Sequence, residues 1–207
     1  MVDFTLYTGF GPKIGVFAVE PDHFKTIKTY ADKILDNPED QIDYGKELAG
    51  QIHSEPAIVK NEELYAIFRR YVGHYVTAYM KHQELNVQKF DMKITSSWLV
   101  DQKPGEYNPP HFHGNCNISS VMYLEVPQLE EDQELLKKKR RADGWINFNN
   151  NSMRGLAEFE TGGVSWEPTV GMLYVFPARL VHSVNPWKGK GRRISLSFNT
   201  QVDFKKK

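Results

Sequence analysis

From about residue 93 onward the hydrophobic rhythm of this chain changes, and that change limits the folds open to it. Ahead of it, apolar residues recur at helical spacing. After Pro21-Asp22 they fall at Phe24, Ile27, Tyr30, Ala31, Ile34 and Leu35, with Asp22 placed to cap the start and Asn37-Pro38 to end the pattern. A second helix follows Asn61. It carries Leu64, Ile67, Phe68, Tyr71, Val72, Tyr75, Val76 and Tyr79 along one side, a face suited to packing on a sheet. Beyond the change, β-branched and aromatic residues come in short runs broken by Gly, Pro and Asn. The runs 94–100, 119–126, 145–148, 173–176 and 194–198 are the expected strands. The class is therefore α+β, mainly β, with helical support over about 1–90 and a β core over about 91–204.

A chain of 207 residues can bury a sizeable core, and no repeat or low-complexity linker divides it, so one domain over 1–207 is expected. Lys+Arg and Asp+Glu balance at 26 each, which argues against a nucleic-acid or membrane-surface partner. The segment 128–141 is acidic first and basic after, a short helix or an insertion, and Lys205-Lys206-Lys207 is a solvated tail. Cys116 is the sole cysteine, so no intrachain disulfide forms and a reducing compartment fits. No stretch of about eighteen apolar residues is present. With no basic-then-apolar leader at Met1-Val2-Asp3, the cytoplasm is the expected location.

Two segments about seventy residues apart carry the chemistry. The first is Pro109-Pro110-His111-Phe112-His113. The second runs from Val175 to His182 and is followed by Arg192-Arg193-Ile194-Ser195. His111 and His113 are two apart, so on an extended strand both imidazoles share a face and can converge on one ion. His182 can join them from a facing strand. Neutral imidazole serves Fe, Zn, Cu and Ni alike. The other histidines, His23, His53, His74 and His82, have no partner pattern. Arg193 and Ser195 share a strand face that offers a planar cationic fork and a hydroxyl to a carboxylate. Arg192 points the other way.

Trp98, His111-Phe112-His113, Ser120-Val121-Met122-Tyr123-Leu124, the stretch 168–177, His182 and the run from Arg193 to Asn199 together resemble the 2-oxoglutarate and Fe(II)-dependent oxygenases, in a branch found in phages and bacteria. The resemblance implies a double-stranded β-helix, a jelly-roll or cupin-like core with the N-terminal helices packed on it. It implies an oxidoreductase, a dioxygenase that hydroxylates its substrate using Fe(II), 2-oxoglutarate and O2. His111 and His182 would be iron ligands, and Arg193, with Ser195 and Tyr123, would hold the distal carboxylate of 2-oxoglutarate. Most relatives carry His-X-Asp or His-X-Glu, whereas His113 stands at the carboxylate position here. Either His113 is the third metal ligand, or two side chains are completed by water or a more distant group. Trp145, Phe148 and Trp166 are candidates to line the pocket. A peptidyl side chain such as proline is one candidate substrate. Competing readings are a cupin-like metal protein with other chemistry and a non-catalytic barrel.

Overall fold

The computed structural model describes residues 3–7, 11–85, 89–130, 142–149 and 162–205. Most of the charged segment 128–141 and the terminal Lys206-Lys207 lie outside the described residues. In chain order the elements begin β1 (Asp3–Tyr7), β2 (Ile14–Ala18), α1 (Pro21–Leu35), α2 (Glu62–His82) and β3 (Phe90–Gln102). There follow β4 (Asn108–His111), β5 (Ile118–Glu125), β6 (Gln128–Leu129), β7 (Ile146–Asn149) and β8 (Gly163–Trp166). The chain closes with β9 (Met172–Pro177), β10 (Val181–Val184), β11 (Gly189–Lys190) and β12 (Arg193–Phe204).

The helices form where the apolar spacing places them, with one correction at a cap. Glu20, not Asp22, occupies the cap position of α1, and no side chain there bonds to the free amides. Pro21 sits in the first turn instead, where its fixed φ suits a helix start and its missing N–H costs nothing. Asn61 does cap α2, its Oδ1 accepting from the Leu64 amide at 3.0 Å. The first third is less helical than expected, because β1 and β2 precede α1 as an antiparallel hairpin. Each is five residues long, and β2 gains its stability by pairing with β9 across the sequence.

Antiparallel pairing builds a major sheet in the order β1-β2-β9-β5-β12-β3 and a minor sheet in the order β4-β10-β7-β8. The two sheets enclose Ile14, Val121, Ile146, Phe148 and Phe176, and the helices cover the outer face of the major sheet. This is the double-stranded β-helix with helices packed on it, an α+β, mainly β architecture. Strand alternation separates the two cores. On β12, Ile194, Leu196 and Phe198 turn toward α2 and meet Leu99, Met122 and Leu173. Arg193, Ser195 and Ser197 turn the other way and line a cleft between the sheets. The register of β3 against β12 jumps from Ser96↔Asn199 to Ile94↔Thr200, leaving Thr95 as a bulge. That extra residue lets Ile94 and Leu99 face the same core despite their odd spacing. Among the described residues no helix is long and apolar enough to cross a membrane.

Phe68 of α2 stacks on Phe198 of β12 with centroids 4.2 Å apart and planes within 6°. Both are buried, so this contact pins the helical layer to the strand that carries the cleft residues. Phe68→Ala is expected to lower unfolding free energy by about 3–5 kcal/mol in a urea titration. A loss under about 1 kcal/mol would mean that the helices are not held to the sheet through this stack.

Candidate active site

His111 closes β4, and β10 brings His182 directly opposite it in the ladder. His113 lies past the end of β4 rather than on the strand, so it does not reach the cluster by the two-residue alternation expected from the sequence. The irregular segment after β4 carries it there, anchored by its amide donating to the Ala178 carbonyl at 2.9 Å. The three side chains nevertheless converge, with one nitrogen of each lying within 4.8 Å of the others.

Backbone carbonyls fix two of the tautomers. Nδ1 of His111 lies 2.7 Å from the Pro109 carbonyl and Nδ1 of His182 lies 2.9 Å from the Leu180 carbonyl. A carbonyl only accepts, so each Nδ1 carries its proton and each Nε2 keeps a free lone pair. Nε2 of His113 stands 3.3 Å from Nε2 of His182, and the amide nitrogen of Asn199, Nδ2, lies 3.4 Å from Nδ1 of His113. Two nitrogens bound at ~2.1 Å to one ion, at right-angle or tetrahedral spacing, are ~3.0–3.4 Å apart. The histidine donor set therefore fits a divalent transition metal. Burial lowers the affinity of all three rings for protons, His113 down to about 4 and His182 well below the ordinary histidine value, with the neighbouring imidazoles adding to the shift at both. His111 is lowered by burial alone. Neutral imidazole is the form that ligates.

Arg193 occupies the first position of β12 and is 1% exposed. Its Nη1 donates to Oε1 of Gln102 at 2.7 Å, and its guanidinium stands 4.8 Å over the Tyr123 ring. Gln102 is held in turn by the Glu106 carbonyl, to which its amide donates. Nε and Nη2 of Arg193 have no partner, nor does the Tyr123 hydroxyl, among the described residues. A buried guanidinium with two idle donors beside an idle hydroxyl is costly unless an anion completes it, and a carboxylate has the matching geometry. Ser195, paired across the ladder with Tyr123, lines the same cleft. The residues present thus fit both a metal and a dicarboxylate. Arg192 lies outside this arrangement, bonded to Asp101 at 3.2 Å.

Phe148 and Trp166 belong to the core between the sheets, Phe148 edge-on to Phe176 and Trp166 stacked on Tyr174, and Ile146 rather than Trp145 reaches the cleft. Among the bystander histidines, His23 bonds to the Tyr71 hydroxyl and His53 pairs with Glu106. Cys116, three residues past His113, is buried, and burial pushes its thiol up to about 11.

Asn108 and Glu55 escaped the sequence reading, and Asn199 entered it only as the end of the resembling run, with no role at the site. Residues 54–58 run antiparallel along the free edge of β3, with Ile58 donating to Ser97, Leu99 to Pro56 and Asp101 to Ser54 at 2.8–3.0 Å. This strap carries Glu55 into the cleft wall. Only 3% of the residue is exposed. Burial, and then the acids Asp43 and Glu106, push its carboxyl from 4.5 up to about 7. No local signal marks Glu55, because its burial comes from pairing across the sequence.

A family model described as "Putative 2OG-Fe(II) oxygenase" matches residues 96–199, half of the chain. The chain belongs to that family of 2-oxoglutarate- and Fe(II)-dependent oxygenases. It is an oxygenase that takes Fe(II), 2-oxoglutarate and O2. Solved structures share the fold. A prolyl-4-hydroxylase from Pseudomonas putida superposes with a TM-score of 0.57 at 15% identity, over 96% of this chain and 94% of that one. The viral collagen prolyl hydroxylase vCPH from Paramecium bursaria Chlorella virus-1, solved with 2OG, gives 0.51 at 11%, over 88% and 91%. The epimerase SnoN from nogalamycin biosynthesis gives 0.56 at 14%, over 91% and 77%. No curated protein matches the sequence.

The raised carboxyl of Glu55 has a stability consequence. Between pH 4.5 and about 7 the unfolded chain releases this proton while the folded chain keeps it, so folding weakens as pH rises through that window. Glu55→Gln removes the effect. The variant is expected to melt with the wild type near pH ~4.5 and above it by ~2 °C or more at pH ~8. Parallel melting curves across that range would show an ordinary carboxylate.

Proposed function

We propose that His111, His113 and His182 hold the Fe(II), and that Arg193, with Ser195 and Tyr123, receives the distal carboxylate of 2-oxoglutarate. The observation that carries this reading is the pairing of three neutral, convergent imidazoles with a buried arginine whose Nε and Nη2 are unpartnered, on the same cleft. When bound, Fe(II) and 2-oxoglutarate would let O2 oxidise a C–H bond to C–OH, one oxygen atom entering that alcohol and the other the succinate left as the keto acid loses CO2.

The residues of the chain have the supporting roles. The carbonyls of Pro109 and Leu180 hold the His111 and His182 rings with Nε2 facing the centre. Asn199 touches the His113 ring through its amide nitrogen, Nδ2, 3.4 Å from Nδ1, and helps to set the orientation of that ring. Gln102 keeps the guanidinium of Arg193 in the plane that a carboxylate meets. Val121, Ile146, Phe176 and Val184 form a dry wall that excludes water from the reacting carbon. A peptidyl side chain is the proposed substrate, with proline the first to test, since the P. putida and viral neighbours are named for that residue. The helical layer and the β core work as one domain over residues 1–207, and the protein acts in the cytoplasm.

Anaerobic titration of the Fe(II)-loaded protein with 2-oxoglutarate is expected to raise an absorption band near roughly 500 nm. Arg193→Ala and His182→Ala should abolish it. No band with metal still bound would overturn this reading in favour of a cupin-like metal protein. Asn199→Ala is expected to weaken Fe(II) binding by about 10–100-fold, read by competition with a chelating dye. Unchanged affinity would remove Asn199 from the centre.

A further inference from the structure

This inference rests on the hydroxylase reading above and names the substrate class of the same cleft. Glu55 and the three histidines line one cavity. Its Oε2 has no hydrogen-bonding partner, and no lysine or arginine pairs with its carboxylate among the described residues. A second acceptor meets it. A Cβ placed on Gly50 would stand 2.7 Å from Oδ1 of Asn108, 2.9 Å from Oε1 of Glu55 and 3.0 Å from Oε2. Three acceptor oxygens therefore gather against a residue with no side chain, within a wall whose other nearby charges, Asp43 and Glu106, are also negative.

The cleft is thus polarised. Arg193 supplies the positive end and is matched to the dicarboxylate, while the Glu55 end lacks a donor. Once ionised, the buried carboxylate requires donors, and nothing in the described chain provides them. A primary ammonium carries three N–H donors and no acceptor, which matches three acceptor oxygens in number and in charge. A peptide amide offers a single donor and a hydroxyl adds acceptor lone pairs of its own. We propose that Glu55 and Asn108 bind a protonated primary amine, so that the hydroxylated carbon belongs to an amine-bearing substrate such as a lysyl side chain or a free amino terminus.

The test compares n-butylammonium with n-butanol, probes of like length that differ in the charged donor head. Each is titrated at fixed ionic strength into anaerobic protein loaded with Fe(II) and 2-oxoglutarate, and the thermal midpoint is followed. The ammonium is expected to bind about tenfold more tightly than the alcohol. Two variants should erase that preference: Glu55→Gln, which removes the charge, and Gly50→Ala, whose methyl enters the space among the three oxygens. Equal binding of both probes to the wild-type protein overturns the proposal, as does a preference that survives in either folded variant. If neither variant folds, the wild-type ratio decides. The absorption band near roughly 500 nm separates the two readings. Its absence counts against the metal and cosubstrate assignment, whereas a missing ammonium preference with the band present counts against Glu55 alone.

Discussion

Strand β12 carries two incompatible environments on one backbone, and its register keeps them apart. Apolar Ile194, Leu196 and Phe198 alternate with polar Arg193, Ser195 and Ser197. A slip of one residue would drive the guanidinium into the helical core and turn Phe198 toward the cleft. Pairing on both flanks prevents it, with β3 on one side and β5 on the other. The irregularity at Thr95 falls on β3 and leaves the alternation of β12 intact. Both the packing of α2 and the position of Arg193 follow from that constraint.

The parts of the fold legible in the sequence are those whose stabilising contacts repeat along the chain. The apolar stripe of α2 and the runs that became β3, β5, β9 and β12 are long enough to show their period. Strands β1, β2, β4 and β10 are four or five residues each and depend on partners far away in sequence. The same distinction applies to the cleft. His111, His182, Arg193 and Ser195 stand out because their residue types are uncommon on core strands. His113 was found by its spacing, yet irregular backbone past β4 and not a pleat delivers it. Glu55, Asn108 and Asn199 look like ordinary polar residues until the strap, β4 and β12 bring them together.

Charge is distributed unevenly along the cleft. The histidine cluster is neutral and includes no carboxylate among the described residues, so a divalent ion held there keeps its full double charge. With a carboxylate ligand, part of that charge would be cancelled by the protein. In the proposed site the compensation would fall to a dianionic cosubstrate, which would also satisfy Arg193. Metal and keto acid would therefore be coupled there, each lowering the electrostatic cost of the other.

Cys116 lies three residues from His113 and is the only sulfhydryl in the chain. Thiolate, not thiol, is the species that peroxides and other two-electron oxidants attack. With its ionisation displaced to about 11, this side chain is almost wholly thiol at neutral pH, and burial restricts access to it. A protein that activates oxygen beside ferrous iron leaks reactive species whenever turnover misfires. The one thiol of the chain is thus held in its least oxidisable ionisation state.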